Sequence, residues 1–236
     1  MPVRTISVVI PTWREEATIA AAVASARHIG DEVIVADPGS PDATQAVARD
    51  AGARIVEAPR GRGAQLRAGA EAATGDVLLF LHADAGLPPE ARGAILRALA
   101  DPRVVGGNFR LRFVPAGTFA ARLFTWANHV RRVVLRIYYG DSAIFVRREV
   151  YEALGGFRPL PIFEDYELVR RLERLGKTAY VRDVVVTASA RRFEDAPVRT
   201  LLVWSFLQVA YSIFGVAPER LARFYADTRP RPRPRS

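Results

Sequence analysis

The sequence predicts an α/β protein built on a mostly parallel sheet flanked by helices. Three observations predict it. Short strand-like runs alternate with Ala-rich helical runs through the first hundred residues, and such alternation builds parallel sheets. The run 77–81, Val-Leu-Leu-Phe-Leu, is apolar at every position, as a strand covered on both faces is. The chain has 236 residues, 50% of them hydrophobic, enough to bury one sizeable core.

The elements follow in order. A strand at 6–10 leads into a helix at 15–26, and a second strand covers 32–36. The turn Asp37-Pro38-Gly39-Ser40-Pro41-Asp42 comes next. Ser40 or Asp42 suits the cap of the helix that ends near Ala51. A third strand covers 54–57, and Pro59-Arg60-Gly61-Arg62-Gly63 opens a helix reaching Ala73. The apolar strand at 77–81 closes this half.

The second half is less regular. It predicts a helix at 89–100, a strand at 104–113 and a basic amphipathic helix at 119–138. A short strand at 143–146, a helix at 164–175 stopped by Gly176 and a strand at 178–187 follow. Amphipathic helices at 198–214 and 218–225 end the pattern. Residues 229–236 alternate Pro and Arg. Such a segment has no apolar surface to bury, which predicts a disordered tail.

Composition removes several classes of function. The chain has no cysteine, so disulfides, zinc–thiolate sites and thiol nucleophiles are excluded. The first strand starts almost at once, with no leader-like segment before it. The longest apolar stretch, 201–214, is shorter than the roughly 20 residues that span a bilayer. Together these predict a cytoplasmic protein. Net charge is +9, with Arg229, Arg231, Arg233 and Arg235 supplying four of the cations. A basic surface favours anionic partners such as nucleotide phosphates or anionic lipid at the inner membrane face. No helix-turn-helix, zinc or aromatic RNA-binding pattern supports specific nucleic-acid binding.

In open parallel sheets, ligands bind beyond the carboxyl ends of the strands. Past the first strand stand Pro11, Thr12 and Glu15. Past the second stands Asp37, past the third Arg60 and Arg62, and past the fourth His82, Ala83 and Asp84. Arginines pair with phosphate, and a carboxylate can hold a metal that bridges a diphosphate. No G-x-G-x-x-G follows the first strand, and Gly61-Arg62-Gly63 lacks the lysine of a P-loop. Hydride transfer and P-loop hydrolysis are therefore disfavoured.

The ordered motifs resemble the family 2 glycosyltransferases of the GT-A fold. Ser7-Val8-Val9-Ile10-Pro11-Thr12 with Glu15-Glu16, then Val35-Ala36-Asp37, match its opening. Arg60-Gly61-Arg62-Gly63-Ala64-Gln65 and the run Gly75 to Asp84 continue the match. So do Gly140-Asp141, Phe145-Val146-Arg147-Arg148, Leu154-Gly155-Gly156-Phe157 and Glu164-Asp165. The Arg-Gly-Arg-Gly-Ala-Gln and His-Ala-Asp forms are most similar to a small bacterial subgroup, some of whose members are associated with arsenosugar biosynthesis clusters.

The resemblance implies a GT-A type, Rossmann-like sheet and one domain over 1–228. Its nucleotide-binding half would be 1–100, its acceptor half 101–195, and 196–228 its C-terminal helices. It implies transfer of a sugar from a UDP- or GDP-sugar to the hydroxyl of a small molecule or lipid, with inversion. The donor side would be Pro11, Thr12, Glu15, Asp37, Arg60, Arg62, His82, Ala83 and Asp84. Asp165 would be the general base, with Gly140, Asp141 and Glu164 on the acceptor side. His82-Ala83-Asp84 stands where the family has its Asp-x-Asp metal motif. Asp84 would hold Mn2+ or Mg2+, with His82 a second candidate ligand, since residues 82 and 84 of an extended chain share a side. Pro38 departs from the acid that many relatives carry. A non-catalytic nucleotide-sugar-binding protein and a nucleotidyltransferase are the alternatives.

The stretch 119–138 has two readings. Phe119, Leu123, Trp126, Val130, Val133, Val134 and Ile137 fall near one helical face, with Arg122, Arg131, Arg132 and Arg136 adding charge. That face either packs on the core or lies on a membrane surface.

Overall fold

The computed structural model describes residues 5–228, so the Pro/Arg tail lies outside the described residues. Eight strands form one sheet in the order β3-β2-β1-β4-β7-β6-β8-β5. The first four in that row are β3 (Arg54–Glu57), β2 (Glu32–Asp37), β1 (Ile6–Pro11) and β4 (Val77–Phe80), and their pairings are parallel. Residues 6–10 and all of β4 are buried, because α1 (Ile19–Arg27), α2 (Thr44–Asp50), α3 (Arg62–Ala72) and their neighbours cover the sheet on both faces. Separate apolar clusters fill the two sides.

The sheet changes direction at β7 (Ile144–Arg147), which runs antiparallel to β4 with Phe80 opposite Ile144. The chain leaving β4 therefore faces the chain entering β7. β6 (Val104–Val114) pairs antiparallel with β7 and parallel with β8 (Lys177–Ser189). The two-residue β5 (Ala85–Gly86) crosses over to pair with the far end of β8. This curls the sheet and brings the ends of β6 and β8 toward the chain just past β4. Neither β5 nor the short α6 (Arg148–Ala153) stands out in the sequence, since each is below the length at which periodicity can be read.

The remaining helices are α4 (Ala91–Ala98), α5 (Phe119–Val130), α7 (Glu164–Leu175), α8 (Pro197–Ser212) and α9 (Pro218–Thr228). The bounds of α7 agree with the sequence expectation. The helix expected over 119–138 does not. Thr118 caps α5 by accepting the Ala121 N–H. The helix then widens into a π turn, Arg131–Leu135, and ends at Arg136 in the left-handed conformation, φ 55°. Burial of the Arg132 side chain accompanies this break. Its Nε donates to Asn108 Oδ1 at 2.8 Å, and its guanidinium lies 4.5 Å from the centre of the Tyr138 ring.

The orientation of α5 settles which of its faces is inside. Ala120, Ala121, Phe124, Ala127 and Asn128 are buried, while Phe119 and Trp126 are exposed. A third apolar cluster sits beneath α8 and α9, where Phe163 stacks on Tyr211 at 4.9 Å and 10°.

Candidate active site

Residues from both halves of the chain meet at the carboxyl rim of the central strands. The antiparallel pairing of β4 with β7 brings His82, just past β4, close to Gly140, just before β7. A Cβ added at Gly140 would lie 2.8 Å from His82 Nε2 and 3.3 Å from Asp165 Oδ2. Only glycine leaves room for that approach. The Gly140 N–H donates to Asp165 Oδ2 at 2.8 Å, and the Tyr166 N–H donates to Asp165 Oδ1 at 2.7 Å.

Arg62, at the start of α3, reaches across to the first turn of α7. Its Nε donates to Glu164 Oε1, and its Nη2 lies 3.4 Å from Asp165 Oδ2. Both carboxylates are buried, and they sit at a helix N-terminus whose partial charge also favours acids. Burial disfavours the Arg62 charge, but Glu164 and Asp165 outweigh it and hold the guanidinium above its usual value. Burial likewise lifts the Glu164 carboxyl above the ordinary range, opposed by Arg62. The close approach of α3 to α7 depends on Gly63, where a Cβ would stand 2.8 Å from the Arg158 carbonyl oxygen and 3.2 Å from Glu164 Cβ.

A cavity of about 220 Å³ opens beside these groups. Six residues named from the sequence line it: Arg62, His82, Asp84, Asp141, Glu164 and Asp165. Gly140 borders it through its contacts with His82 and Asp165. Asp141 is a second perturbed acid of the cavity. Burial comes first, and the nearby Asp165 and Asp84 add to it, so the Asp141 carboxyl is pushed up to about 6 despite Arg131 and Arg62. Asp141 Oδ1 is buried without a hydrogen-bond partner.

Pro11, Thr12, Glu15, Asp37, Arg60 and Ala83 do not line this cavity. Asp37 is fully buried. Its oxygens accept five hydrogen bonds, from Thr12 Oγ1, the N–H groups of Gly39 and Ser40, Ser40 Oγ and Gln45 Nε2. Burial raises its carboxyl, but these donors outweigh that and hold it below the usual range. Asp37 thus organises the turn after β2. Glu15 accepts from Thr18 Oγ1. The Arg60 guanidinium lies 4.3 Å from the centre of the Trp13 ring, which makes a flat cationic rim past β1 and β3.

Several lining residues were not among the expected site residues; of them, Phe193 alone belongs to a motif, Arg191-Arg192-Phe193, that the sequence offers as either a diphosphate contact or plain surface. Arg131, Tyr139, Phe113, Phe124, Phe193, Trp204 and Tyr225 each come from a different element or turn. Arg131 stands in a run of basic residues, and the π turn decides which of them faces inward.

A divalent cation would find few protein ligands here. Among the described residues, no group of three His, Cys, Asp or Glu side chains is close enough to hold one alone. Asp84 and His82 line the cavity together. One carboxylate and one imidazole fit a cation that takes its remaining ligands from phosphate oxygens and water.

A sheet that runs parallel through four strands, turns over at β7 and gathers acids at its carboxyl rim defines a chain of the GT-A fold class. The particular family follows from comparison with known proteins. Glycosyl transferase family 2 matches residues 7–158, and the chain belongs to it. The glucosyl-3-phosphoglycerate synthase of Mycobacterium tuberculosis (strain ATCC 25618 / H37Rv) is 37% identical over 94 residues, 34% of this chain and 29% of that protein. An undecaprenyl-phosphate 4-deoxy-4-formamido-L-arabinose transferase of Aeromonas hydrophila is 33% identical over 122 residues, 46% of this chain and 37% of its own. The matches thus span about a third of these curated relatives.

A crystal structure of the M. tuberculosis synthase with Mn2+, UDP and glucosyl-3-phosphoglycerate superposes with a TM-score of 0.59 at 26% identity. It covers 88% of this chain and 78% of that one. The same enzyme with Mg2+ and UDP gives a TM-score of 0.55 at 26% identity, covering 79% and 70%. These matches reach the family and do not single out the subgroup linked to arsenosugar clusters.

Proposed function

We propose that this chain transfers a sugar from a UDP- or GDP-sugar to an acceptor hydroxyl, with inversion at the anomeric carbon. The observation that carries this reading is the meeting of Asp84, Asp165 and Arg62 around one cavity, at the rim where open α/β sheets bind ligands. The complexes of the structural relative with UDP and Mn2+ support it.

In this reading Asp84 holds Mn2+ or Mg2+, with His82 a second ligand and the donor's phosphates completing the set. Such a cation, when bound, offsets charge on the departing diphosphate. The nucleoside extends toward the turn organised by Asp37, past the Arg60–Trp13 stack and Pro11, Thr12 and Glu15. Glu164 anchors Arg62, and Arg62 with the Gly140 N–H keeps Asp165 oriented.

Asp165 then acts as general base. The acceptor oxygen bonds to the anomeric carbon as its proton passes to Asp165 Oδ2. The bond from that carbon to the diphosphate oxygen breaks, and its electron pair leaves on the nucleoside diphosphate. Replacing Asp165 with Asn lowers turnover by about 100- to 10,000-fold and keeps calorimetric affinity for UDP with Mn2+. Full turnover in that variant would overturn the assignment. A thermal-shift panel of nucleotide sugars with Mn2+ identifies the donor, because a ligand of the folded state raises the midpoint.

The acceptor side of the same proposal includes contact with a membrane surface, although no described helix is long and apolar enough to cross one. On α8, Val198, Leu202, Phe206, Val209 and Ile213 just after it recur at helical spacing and are exposed. Leu207 and Ala210 on the opposite side are buried. A helix apolar all round is normally covered on both faces. Phe119 and Trp126 of α5 are exposed as well, and Arg122, Arg199, Arg220 and Arg223 stand exposed on the same group of helices. That charge favours anionic lipid, whereas pairing two copies through this face would bring arginine against arginine. Co-sedimentation with phosphatidylglycerol vesicles at low salt tests it, and a protein that stays in the supernatant rules it out.

A further inference from the structure

Helix α8 has an inner side as well as its apolar outer one. Trp204, Gln208 and Tyr211 recur along it at helical spacing, i, i+4 and i+7, so they share one side of the helix. That side meets the two stretches of backbone that frame Asp165. One is the turn 139–142, and the other is 163–166 at the start of α7.

The contact with the first stretch is polar. Tyr139 Oη donates to Gln208 Oε1, and both residues are buried. The Tyr139 carbonyl accepts from the Ser142 N–H at 3.1 Å and from Ser142 Oγ at 2.7 Å. That carbonyl and the Gly140 N–H are the two ends of one planar peptide. Fixing one therefore fixes the direction of the other, and the Gly140 N–H donates to Asp165 Oδ2.

The contact with the second stretch is aromatic. Phe163 stands just before Glu164 and Asp165 in the left-handed conformation, φ 63°. A bulky residue keeps that conformation only where its surroundings impose it. Its ring stacks on Tyr211, with Trp204 edge-on at 6.3 Å and 87°. Tyr211 also meets Tyr166 at 5.9 Å and 71°, and the Tyr166 N–H donates to Asp165 Oδ1. Arg62 thus grips the carboxylates from α3, while α8 grips the backbone that carries and orients them.

We infer that Gln208 and Tyr211 are positioning residues for Asp165. Neither lines the cavity, so both act through Tyr139, Phe163 and Tyr166. A base must be held close to its productive geometry, and its own helix supplies only part of that hold. The catalytic consequence rests on the sugar-transfer reading above.

Amide hydrogen exchange by NMR on the full chain reads the placement, and release of UDP from UDP-glucose with Mn2+ reads its consequence. Gln208→Met is expected to speed exchange at the Gly140 N–H, and Tyr211→Leu at the Tyr166 N–H, each about tenfold. The Thr12 N–H, which donates to the Ala36 carbonyl at 3.0 Å on the donor side, keeps its rate in both. Turnover falls about tenfold with the KM for UDP-glucose unchanged. Tyr211→Phe keeps the ring and restores both readouts. Tyr139→Phe removes the other half of the bond to Gln208, and adding it to Gln208→Met brings no further loss. In an Asp165→Asn background the α8 variants lower turnover no further, because the group they position is gone. Unchanged exchange at both amides would overturn the positioning role. A loss that multiplies with that of Asp165→Asn would overturn it too, since α8 would then act elsewhere. Faster exchange in a protein that releases no nucleotide from UDP-glucose or GDP-mannose would leave the placement of Asp165 by α8 standing and remove sugar transfer instead.

Discussion

The Gly140 N–H donates to Asp165 Oδ2 at 2.8 Å, although the two residues lie on opposite sides of the segment that runs through β7 and α6. This bond ties the start of β7 to the first turn of α7. It also brings Asp165 beside His82, because Gly140 has no Cβ to hold them apart. The acid expected to move a proton and the motif expected to hold a cation therefore share one backbone contact.

Gly140→Ala tests that contact. The new Cβ would stand 2.8 Å from His82 Nε2, so either the imidazole or the 140–142 turn must shift. A misplacement near 1 Å at a reacting centre costs about 100-fold in rate. We expect turnover to fall by about that factor with the fold retained. Initial rates beside circular dichroism check this, and an unchanged rate would show that the contact is slack.

Arg62→Met leaves Glu164 and Asp165 buried without their cation. Breaking a buried pair in this way costs 3–5 kcal/mol. The Arg62 side chain keeps 37% of its exposure, so solvent screening lowers the expected loss to about 2 kcal/mol. The loss shrinks as pH falls, because the raised Glu164 carboxyl takes up a proton and its buried charge disappears. Urea unfolding at neutral and mildly acid pH reads both effects.

Asp141 makes the stability of the metal-free, ligand-free protein depend on pH. Its carboxyl moves from 3.8 to about 6 on folding. Between those values the folded protein binds more protons than the unfolded chain, so stability falls as pH rises. Full ionisation costs up to ~3 kcal/mol, and the cost persists above the folded value. Asp141→Asn should flatten that slope and raise the midpoint at neutral pH. A variant with the wild-type pH profile would count against the perturbed acid.

Asp37 separates a structural role from a ligand role. Its depressed carboxyl contributes stability that is present above the unfolded value of 3.8 and lost as pH falls through the lower folded value. Asp37→Ala orphans the turn donors and should cost about 1–3 kcal/mol, read by urea unfolding. If nucleotide affinity falls tenfold in that variant while unfolding is unchanged, Asp37 touches the nucleoside directly.

Chelation tests the cation. EDTA should abolish transfer and Mn2+ or Mg2+ should restore it, while Asp84→Ala should need more metal for the same rate. Full activity in EDTA would remove Asp84 from any metal role.

Much of the architecture was readable from local pattern. The apolar run of β4 is buried as expected, and the first four strands pair in parallel because helices separate them. Their shared direction places His82 and Asp84 at the carboxyl rim, where the motifs suggested. Other features were not readable. The sequence shows Arg131, Arg132 and Arg136 alike, but a π turn buries one, leaves one exposed and sets one beside the cavity. Phe119 and Trp126 look like core residues by spacing, yet α5 packs through its alanines and Phe124.

What the sequence determined alone is the parallel half-sheet, the helices that cover it and the acids at its rim, because those depend on residue type and on period along the chain. Only the tertiary structure decided that Asp37 closes a turn, that Gly140 meets both His82 and Asp165, and that Arg131, Trp204 and Asp141 surround one opening. Those outcomes depend on the antiparallel insertion of β7 and on burial by distant segments. Pairing between strands far apart in sequence, and the loss of water it brings, leave no mark in local spacing.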